Sequence, residues 1–200
     1  TDQSVNIDDS DNAYGDGLLQ LVGADALAYF HSDRMIRRFV ATIDNLPRQE
    51  APAGKMPVKP VGGPFLVERN SAGMTIDPAN ARRYVRYLEI MAAVDVRRLV
   101  DLYVGFYPVF QQAYRELGYP HGRFNDRVVD TLDDLLATPD VAPPIAVTQP
   151  KVLYEFADPA LEKRSAGQKI MLRMGADNMA RAKRLLSAIR SELLRRSPGK

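Results

Sequence analysis

The sequence predicts a mostly all-α protein: a single compact multi-helix domain with two long proline-rich connections and at most a small hairpin. Apolar residues recur with helical spacing over most of the chain, and many of these stretches begin at a capping residue and end at glycine or proline. The strand–helix alternation that a parallel sheet requires does not occur. A chain of 200 residues, 46% hydrophobic and 26% charged, suits one domain with its own core.

The first third of the chain predicts two helices after a polar, acidic beginning. One is expected to start at Ser10. The next is capped by Ser32 and ends at Asn45, because asparagine tolerates the left-handed conformation of helix ends and Pro47 prevents continuation. The resulting division of the chain is a disordered leader (1–9), a single helical domain (10–196) and a tail (197–200).

Two stretches are too rich in proline for regular structure. Residues 47–64 hold five prolines and three glycines, and residues 139–150 form a second proline-rich stretch. We expect both to be long connections packed on the helical body. Between them, FLVERNSAGMTI (65–76) predicts two short extended pieces around a turn.

The rest of the chain predicts further helices. Pro108 interrupts one long apolar pattern, so a break is expected near Phe106. A single helix is expected from Pro159 to Met174, closed by Gly175. Helix caps are expected at Asp77, Asp95, Asn125, Asp158 and Asp177. The last helix carries a narrow apolar seam formed by Met179, Ala182, Leu186, Ile189 and Leu193.

The charge of the chain is small overall but unevenly distributed. The net charge is +2, which argues against a surface that is basic throughout. Residues 163–200 hold 11 Lys or Arg and two acids, so this part carries +9 and the rest of the chain −7. The basic charges lie around much of the last helix, without the aromatic residues that stack on bases. This pattern favours a supporting role at the protein surface, or docking to an acidic partner, over nucleic-acid binding.

The motifs of common catalytic and cofactor sites are absent. With no cysteine and only His31 and His121, a structural zinc site cannot be completed. The acidic run IDDSDNAYGD (7–16) lacks the glycine and glutamate of a calcium-binding EF-hand. No phosphate-binding loop, nucleophile elbow or HExxH motif occurs. We therefore expect no metal, no cofactor and no catalytic residue, and lean towards a protein that is not an enzyme.

Several polar residues could nevertheless line a ligand pocket if the fold brings them together. The string TIDNLP (42–47) leaves open whether Asp44 and Asn45 belong to a site or only end a helix. Four carboxylates at 126, 130, 133 and 134 share one helix face opposite the apolar stripe, and we interpret this face as solvated. The candidate lining of a polar pocket is Arg38, Asp44, Arg83, Tyr84, Asp126 and Arg173.

Six strings in this order resemble one bacterial family, the domain-of-unknown-function family numbered 3014. They are RRFVATIDNLPR (37–48), NARRY (80–84), YPVFQQAYRELGYP (107–120), RFNDRVVDTLDDLLATP (123–139), YEFADPALEKRSAGQK (154–169) and RMGADN (173–178). The resemblance implies a protein with one N-terminal membrane span, a proline-rich linker and a soluble domain outside the inner membrane. It supplies no catalytic residue to carry over.

The sequence and the resemblance together lead to one leading hypothesis and two alternatives. The leading hypothesis is a periplasmic, non-catalytic helical module of a membrane-anchored envelope protein that binds another envelope protein or organises an assembly. The first alternative is a small-ligand binder or enzyme with an Arg, Asp and Tyr pocket. The second is nucleic-acid binding by the basic C-terminal helix, and the periplasmic expectation makes it the less favoured. The sequence leaves the oligomeric state open.

Overall fold

The computed structural model describes residues 7–196, and this part of the chain contains ten α-helices and one small antiparallel sheet. The helices are α1 (Ile7–Val22), α2 (Ala24–Leu27), α3 (Met35–Asn45), α4 (Arg82–Ala93), α5 (Val96–Gly105), α6 (Tyr107–Glu116), α7 (Phe124–Leu136), α8 (Pro159–Glu162), α9 (Ala166–Arg173) and α10 (Ala176–Arg196). The strands are β1 (Val67–Asn70), β2 (Gly73–Ile76), β3 (Ala146–Thr148) and β4 (Glu155–Phe156), and 3-10 turns lie at Ala53–Lys55 and Pro78–Ala81. The prediction of a mostly helical protein is confirmed.

The first helix begins earlier than the sequence predicted. Ile7 is only 2% exposed and belongs to the main core. Burial of this apolar side chain explains why α1 begins at Ile7, three residues before Ser10. Residues 7–9, assigned to a disordered leader, are therefore helical. The remainder of that leader (1–6) and the tail (197–200) lie outside the described residues.

The main core is centred on two fully buried phenylalanines, Phe110 on α6 and Phe124 on α7. Their rings stack with centroids 5.9 Å apart, and Tyr14 on α1 meets Phe110 edge-on at 5.3 Å. Ile36 on α3 and Leu193 on α10 belong to the same cluster. Helices from both ends of the described chain thus share one core, while a second apolar cluster forms where α4, α9 and α10 meet.

Helix α3 does not use the predicted cap. Arg34, in the left-handed conformation with φ 50°, precedes α3, and its side chain makes no capping hydrogen bond. The amide of Ile36 instead donates to Asp11 Oδ1 on α1, at 2.9 Å. The expectation that Ser32 caps α3 is wrong because a carboxylate 25 residues upstream satisfies the helix end.

Two expectations in the middle of the chain have different outcomes. The break caused by Pro108 is confirmed, since Phe106 separates α5 from α6 with φ −98° and ψ 5°. Asn125 does not cap α7, which begins one residue earlier because Phe124 turns its ring into the core. Asn125 lies buried in the first turn, where its Oδ1 accepts from the Tyr103 hydroxyl at 3.4 Å.

The expected hairpin exists, as β1 and β2, but it is half of a four-stranded antiparallel sheet in the order β1-β2-β3-β4. Strand β3 lies within the second proline-rich stretch, where the prediction allowed no regular structure. Val147 of β3 is 4% exposed and pairs with Met74 of β2 and Phe156 of β4. The prediction of at most one small hairpin was wrong. A strand of three residues is too short for its alternation of apolar and polar residues to be recognised in the sequence.

The helix predicted from Pro159 to Met174 is in fact two helices, α8 and α9. Ser165 interrupts it and accepts a hydrogen bond from the Gln168 amide, which makes Ser165 the cap of α9. The amides of Ala166 and Gly167 donate to the carbonyls of Arg48 and Leu46, at 2.6 and 2.9 Å. The chain that follows α3 therefore completes the beginning of α9.

The seam predicted on the last helix is confirmed in α10, where Met179, Ala182 and Leu193 are buried. Helix α10 begins at Ala176, directly after Gly175 with φ 88°, so Asp177 lies in its first turn and not at the cap position. Within residues 7–196, no helix has both the length and the apolar composition to cross a membrane.

Candidate functional site

The contacts of the six candidate pocket residues separate them into groups. Arg83, Tyr84 and Arg173 lie close together where α4 faces α9. Burial raises the pKa of Tyr84, and the positive charges of the two arginines partly offset this increase. Arg38, Asp44 and Asp126 make their contacts elsewhere. The structure therefore does not assemble one pocket from all six.

Arg38 and Arg83 both bind backbone carbonyls of the first proline-rich segment (47–64). Arg38 donates to Gly54 O at 2.7 Å, and Arg83 donates to Gly62 O at 3.0 Å and Gly63 O at 2.8 Å. Tyr87 adds a bond to Lys59 O at 2.9 Å. A proline-rich chain has carbonyls but few N–H groups to pair them with, so these side chains hold it on the helical body. This use of their donors is structural.

Asp44 is both at the end of α3 and at the centre of a polar network. It is 4% exposed, and its Oδ2 lies 2.7 Å from Arg48 and 3.2 Å from the Tyr119 hydroxyl. Its Oδ1 lies 3.3 Å from Arg127 Nε, and Arg127 also donates to the Asp44 carbonyl at 2.5 Å. Neither Oδ1 nor that Nε has a well-aligned hydrogen bond. We assign this network to joining α3 with α7, since two arginines already neutralise the carboxylate.

Asp126 is solvated, as the sequence predicted for its helix face, with 63% of its side chain exposed. The same prediction holds for Asp130 and Asp133, which are exposed, and was wrong only for Asp134, which is half-buried. Asp133 forms an ion pair with Arg190 of α10, and Asp134 accepts from Ser165 at 2.6 Å. The start of α9 covers Asp134, which no property of the α7 sequence could indicate.

A cleft of about 550 Å³ lies beside Arg173. We call it the Arg173 cleft. It lies between β2, the first turns of α4 and α10, and the end of α9. Its lining consists of Ile76, Asp77, Pro78, Asn80, Ala81, Arg82, Val85, Val141, Pro143, Ile145, Leu172, Arg173, Gly175, Ala176, Asp177, Asn178, Met179 and Arg181.

Two of the strings that carry the family resemblance, NARRY and RMGADN, build this cleft. Asn178 is 6% exposed and donates to Ala81 O at 2.8 Å and Met174 O at 2.9 Å. A Cβ on Gly175 would lie 3.3 Å from the Cβ of Ala81, so the two strings pack closely. Asn80 is 1% exposed and binds both backbone groups of Leu66, which fixes the 3-10 turn beside the sheet. Buried side-chain hydrogen bonds and close packing thus hold the walls of the cleft together.

Arg173 is a partly desolvated cation. Its guanidinium lies 5.0 Å from the centre of the Phe156 ring and donates one hydrogen bond, to Tyr154 O at 3.2 Å. Burial lowers the pKa of Arg173, and the charge of Glu162 offsets this only in part. Arginine stays protonated at neutral pH, and a bound anion would recover some of the lost solvation. Within residues 7–196, Arg173 has no carboxylate as an ion-pair partner.

The chemistry of the lining suits the binding of an anion. The cleft is lined by apolar side chains, two asparagines, three arginines and two aspartates, without histidine, serine, threonine, tyrosine or lysine. Asp77 accepts a hydrogen bond from the Ala79 amide at 2.7 Å, and Asp177 is exposed in the first turn of α10. A proton-transfer site needs a titratable group placed against a reacting atom. This lining can instead hold a carboxylate or another anion beside an apolar wall.

Sequence reasoning found Arg173 but missed Arg82, Asn178 and Arg181 of the same cleft. The strings NARRY and RMGADN contained the first two, yet nothing in one sequence indicates that strings so far apart meet in space. Among the described residues, no group of three or more histidine, aspartate or glutamate side chains is placed to hold a metal ion.

Comparison with known proteins identifies a family but no characterised relative. A family model described as "Protein of unknown function (DUF3014)" matches residues 35–190. No curated protein and no solved structure matches the chain. The matched region contains both the Arg173 cleft and the Asp44 network, and it begins after α1 and α2.

Proposed function

The chain belongs to the DUF3014 family, and we propose that it is a non-catalytic protein-interaction domain of a membrane-anchored bacterial envelope protein, with the Arg173 cleft as its binding site. One observation carries the proposal. Arg173 is a partly buried cation with a single carbonyl acceptor and no carboxylate within ion-pair distance among the described residues, at the edge of an apolar cleft. An anionic group of a partner supplies what this guanidinium lacks.

The periplasmic location is part of the proposal and comes from the family resemblance. In that setting the ligand is a carboxylate-bearing segment of another envelope protein, because the cleft joins a cation to apolar walls. Arg82 and Arg181 are exposed and add positive charge beside Arg173. Such charges speed encounter and select a partner of opposite sign more than they add affinity.

A small anionic ligand is the second candidate, favoured by the volume of the cleft. About 550 Å³ lies within the range of small-molecule sites, roughly 300–1,000 Å³. Nucleic acid is disfavoured because three cations of α10 are paired within the domain, which leaves Arg181 and Arg184 as the exposed arginines of that helix without an ion pair among the described residues. Lys183 pairs with Asp140, and Arg190 and Arg196 pair with carboxylates of the domain itself. These cations are not free to contact phosphates.

The test is a pull-down from an envelope extract of the source bacterium, with low-salt and high-salt washes. The baits are the unchanged chain, Arg173→Gln and Arg115→Gln. Arg115 is an exposed arginine at the end of α6, outside the cleft lining and without an ion pair among the described residues, so it is a matched control.

We expect a stoichiometric protein to survive high salt with the unchanged chain and the Arg115 variant, and to be lost with Arg173→Gln. Capture that is equal for all three baits contradicts the assignment of the cleft. A specific turnover of an envelope substrate that one point change abolishes contradicts the non-catalytic role. Circular dichroism of each bait excludes loss of fold as the cause.

A further inference from the structure

A second concave site continues the Arg173 cleft along α4 and α10. Its volume is about 460 Å³, and Arg181 lines both sites. The Arg173 cleft is bounded by the beginnings of α4 and α10, and the second site is bounded by the next two turns of both helices. The two helices therefore run side by side in the same direction. We call the combined feature the α4–α10 groove. On α4 it extends from Arg82 to Ala92, about 15 Å at helical rise.

The walls of this groove are apolar and incompletely covered. Val85 and Met91 of α4 and Leu185 of α10 are half-buried, whereas Leu88 and Ala182 beneath them are buried. Half-buried apolar side chains at helical spacing on two adjacent helices are what a third helix packs against. A small ligand occupies one cavity, but a groove of this length fits several turns of a helix.

The charges of α10 separate into paired and unpaired sets. Lys183, Arg190 and Arg196 point to carboxylates of the domain and form ion pairs. Arg181 and Arg184, on the groove side, are exposed and form no ion pair within residues 7–196.

The groove side of α4 adds to this positive charge. Arg82 is exposed at the start of the groove and forms no ion pair within the described part of the chain. Glu89, a carboxylate of the same groove, lies 3.4 Å from Arg86. Asp177 is the other exposed carboxylate, at the first turn of α10. The surface around the apolar walls therefore carries an excess of unpaired arginines.

We propose that the α4–α10 groove receives an acidic amphipathic helix of a partner protein. The apolar side of that helix packs on Val85, Met91 and Leu185, and its carboxylates meet Arg181 and Arg184, while one carboxylate reaches Arg173 at the end of the groove. This inference rests on the proposed function and adds the form and chemistry of the partner segment.

The test uses a labelled synthetic peptide of about four helical turns, with leucines at the i, i+3, i+4 and i+7 positions and glutamates on the flanks. Fluorescence anisotropy measures its binding to the whole chain. A second peptide with lysine in place of each glutamate controls for apolar association. The variants are Arg184→Glu, Leu185→Ser, Arg173→Gln and the matched control Arg115→Glu.

We expect the acidic peptide to bind and the lysine peptide not to bind. Arg184→Glu and Leu185→Ser each weaken binding about tenfold, and Arg115→Glu changes it by less than about twofold. No binding of the acidic peptide, or equal loss with Arg115→Glu and Arg184→Glu, overturns the inference.

The two proposals fail in different ways. If Arg173→Gln abolishes capture of the envelope protein while Arg184→Glu changes neither capture nor peptide binding, the groove is overturned and the cleft stands. If neither variant changes capture, the cleft and the groove both fall. Because Arg184 is exposed, its variant keeps the fold, and thermal melting confirms this before binding is measured.

Discussion

Replacing Asp44 tests whether its network is a structural joint or an unused site. The carboxylate holds Arg48 and Tyr119 through Oδ2 and Arg127 through Oδ1. Asp44→Ala removes all three contacts, whereas Asp44→Asn removes the charge but keeps a carbonyl acceptor for the tyrosine hydroxyl. Thr131 continues the same junction by donating to Ile43 O at 2.8 Å. The perturbation is therefore local to the α3–α7 contact.

The size of the effect follows from how far the network is buried. Removing one member of a buried ion pair costs about 3–5 kcal/mol. Arg48 exposes 49% of its side chain and Arg127 23%, so solvent screening reduces their share. We expect Asp44→Ala to lower the free energy of unfolding by about 3 kcal/mol and Asp44→Asn by about 2 kcal/mol. At this chain length the former lowers the melting temperature by roughly 6–12 °C.

Urea unfolding followed by far-ultraviolet circular dichroism measures both values. Asp126→Asn is the matched control, because it makes the same change at an exposed carboxylate, and its expected effect is within about 0.5 kcal/mol. A loss below about 1 kcal/mol for Asp44→Ala, with an unchanged dependence on urea, would refute the structural interpretation. Asp44 would then return as a candidate ligand group.

Three further predictions concern packing, the proline-rich segment and pH. Gly167→Ala places a Cβ 2.5 Å from Leu135 Cδ2 and 3.3 Å from the Leu46 carbonyl oxygen, and thermal unfolding should show a loss of about 1–3 kcal/mol in stability. Gly105→Ala, whose Cβ would meet no side chain or other segment within 4 Å, should show no loss. Arg83→Gln should speed limited proteolysis within residues 47–64, because two of their carbonyls lose a donor; an unchanged cleavage pattern contradicts this role. Burial raises the pKa of Tyr103, so its contribution to stability is full below about pH 10 and is lost as pH rises towards the folded-state pKa. Urea midpoints at about pH 9 and 11 should therefore fall less in Tyr103→Phe than in the unchanged chain.

Local signals in the sequence predicted the elements that depend on local chemistry. Pro108 lacks an N–H, so the break between α5 and α6 follows from one residue. The seam of α10 follows from periodicity alone. The misses share a different cause. Asp11 caps α3 from another helix, and β3 exists only because β2 and β4 pair with it. Partners distant in sequence decided these outcomes, and one sequence does not reveal them.

The candidate site shows the same division. Arg173 could be chosen by residue type, and it does line the cleft. Arg38 and Arg83 were chosen for the same reason, yet the proline-rich segment uses their donors. Arginine binds ligand anions and backbone carbonyls with the same geometry, so residue type does not separate the two roles. What separates them is whether an acceptor of the protein already lies within reach.

The hydrogen bond from the Ile36 amide to Asp11 shows that the family match and the core of this protein begin at different places in the chain. The family match begins at residue 35, yet the first turn of α3 is completed by α1, which also contributes Tyr14 and Leu18 to the core. A chain cut at residue 35 would keep almost everything by which the family is recognised and lose a helix that its core requires. Recognition by sequence follows what relatives share, whereas the core follows what fills space, and here the core includes α1, which lies outside the family match.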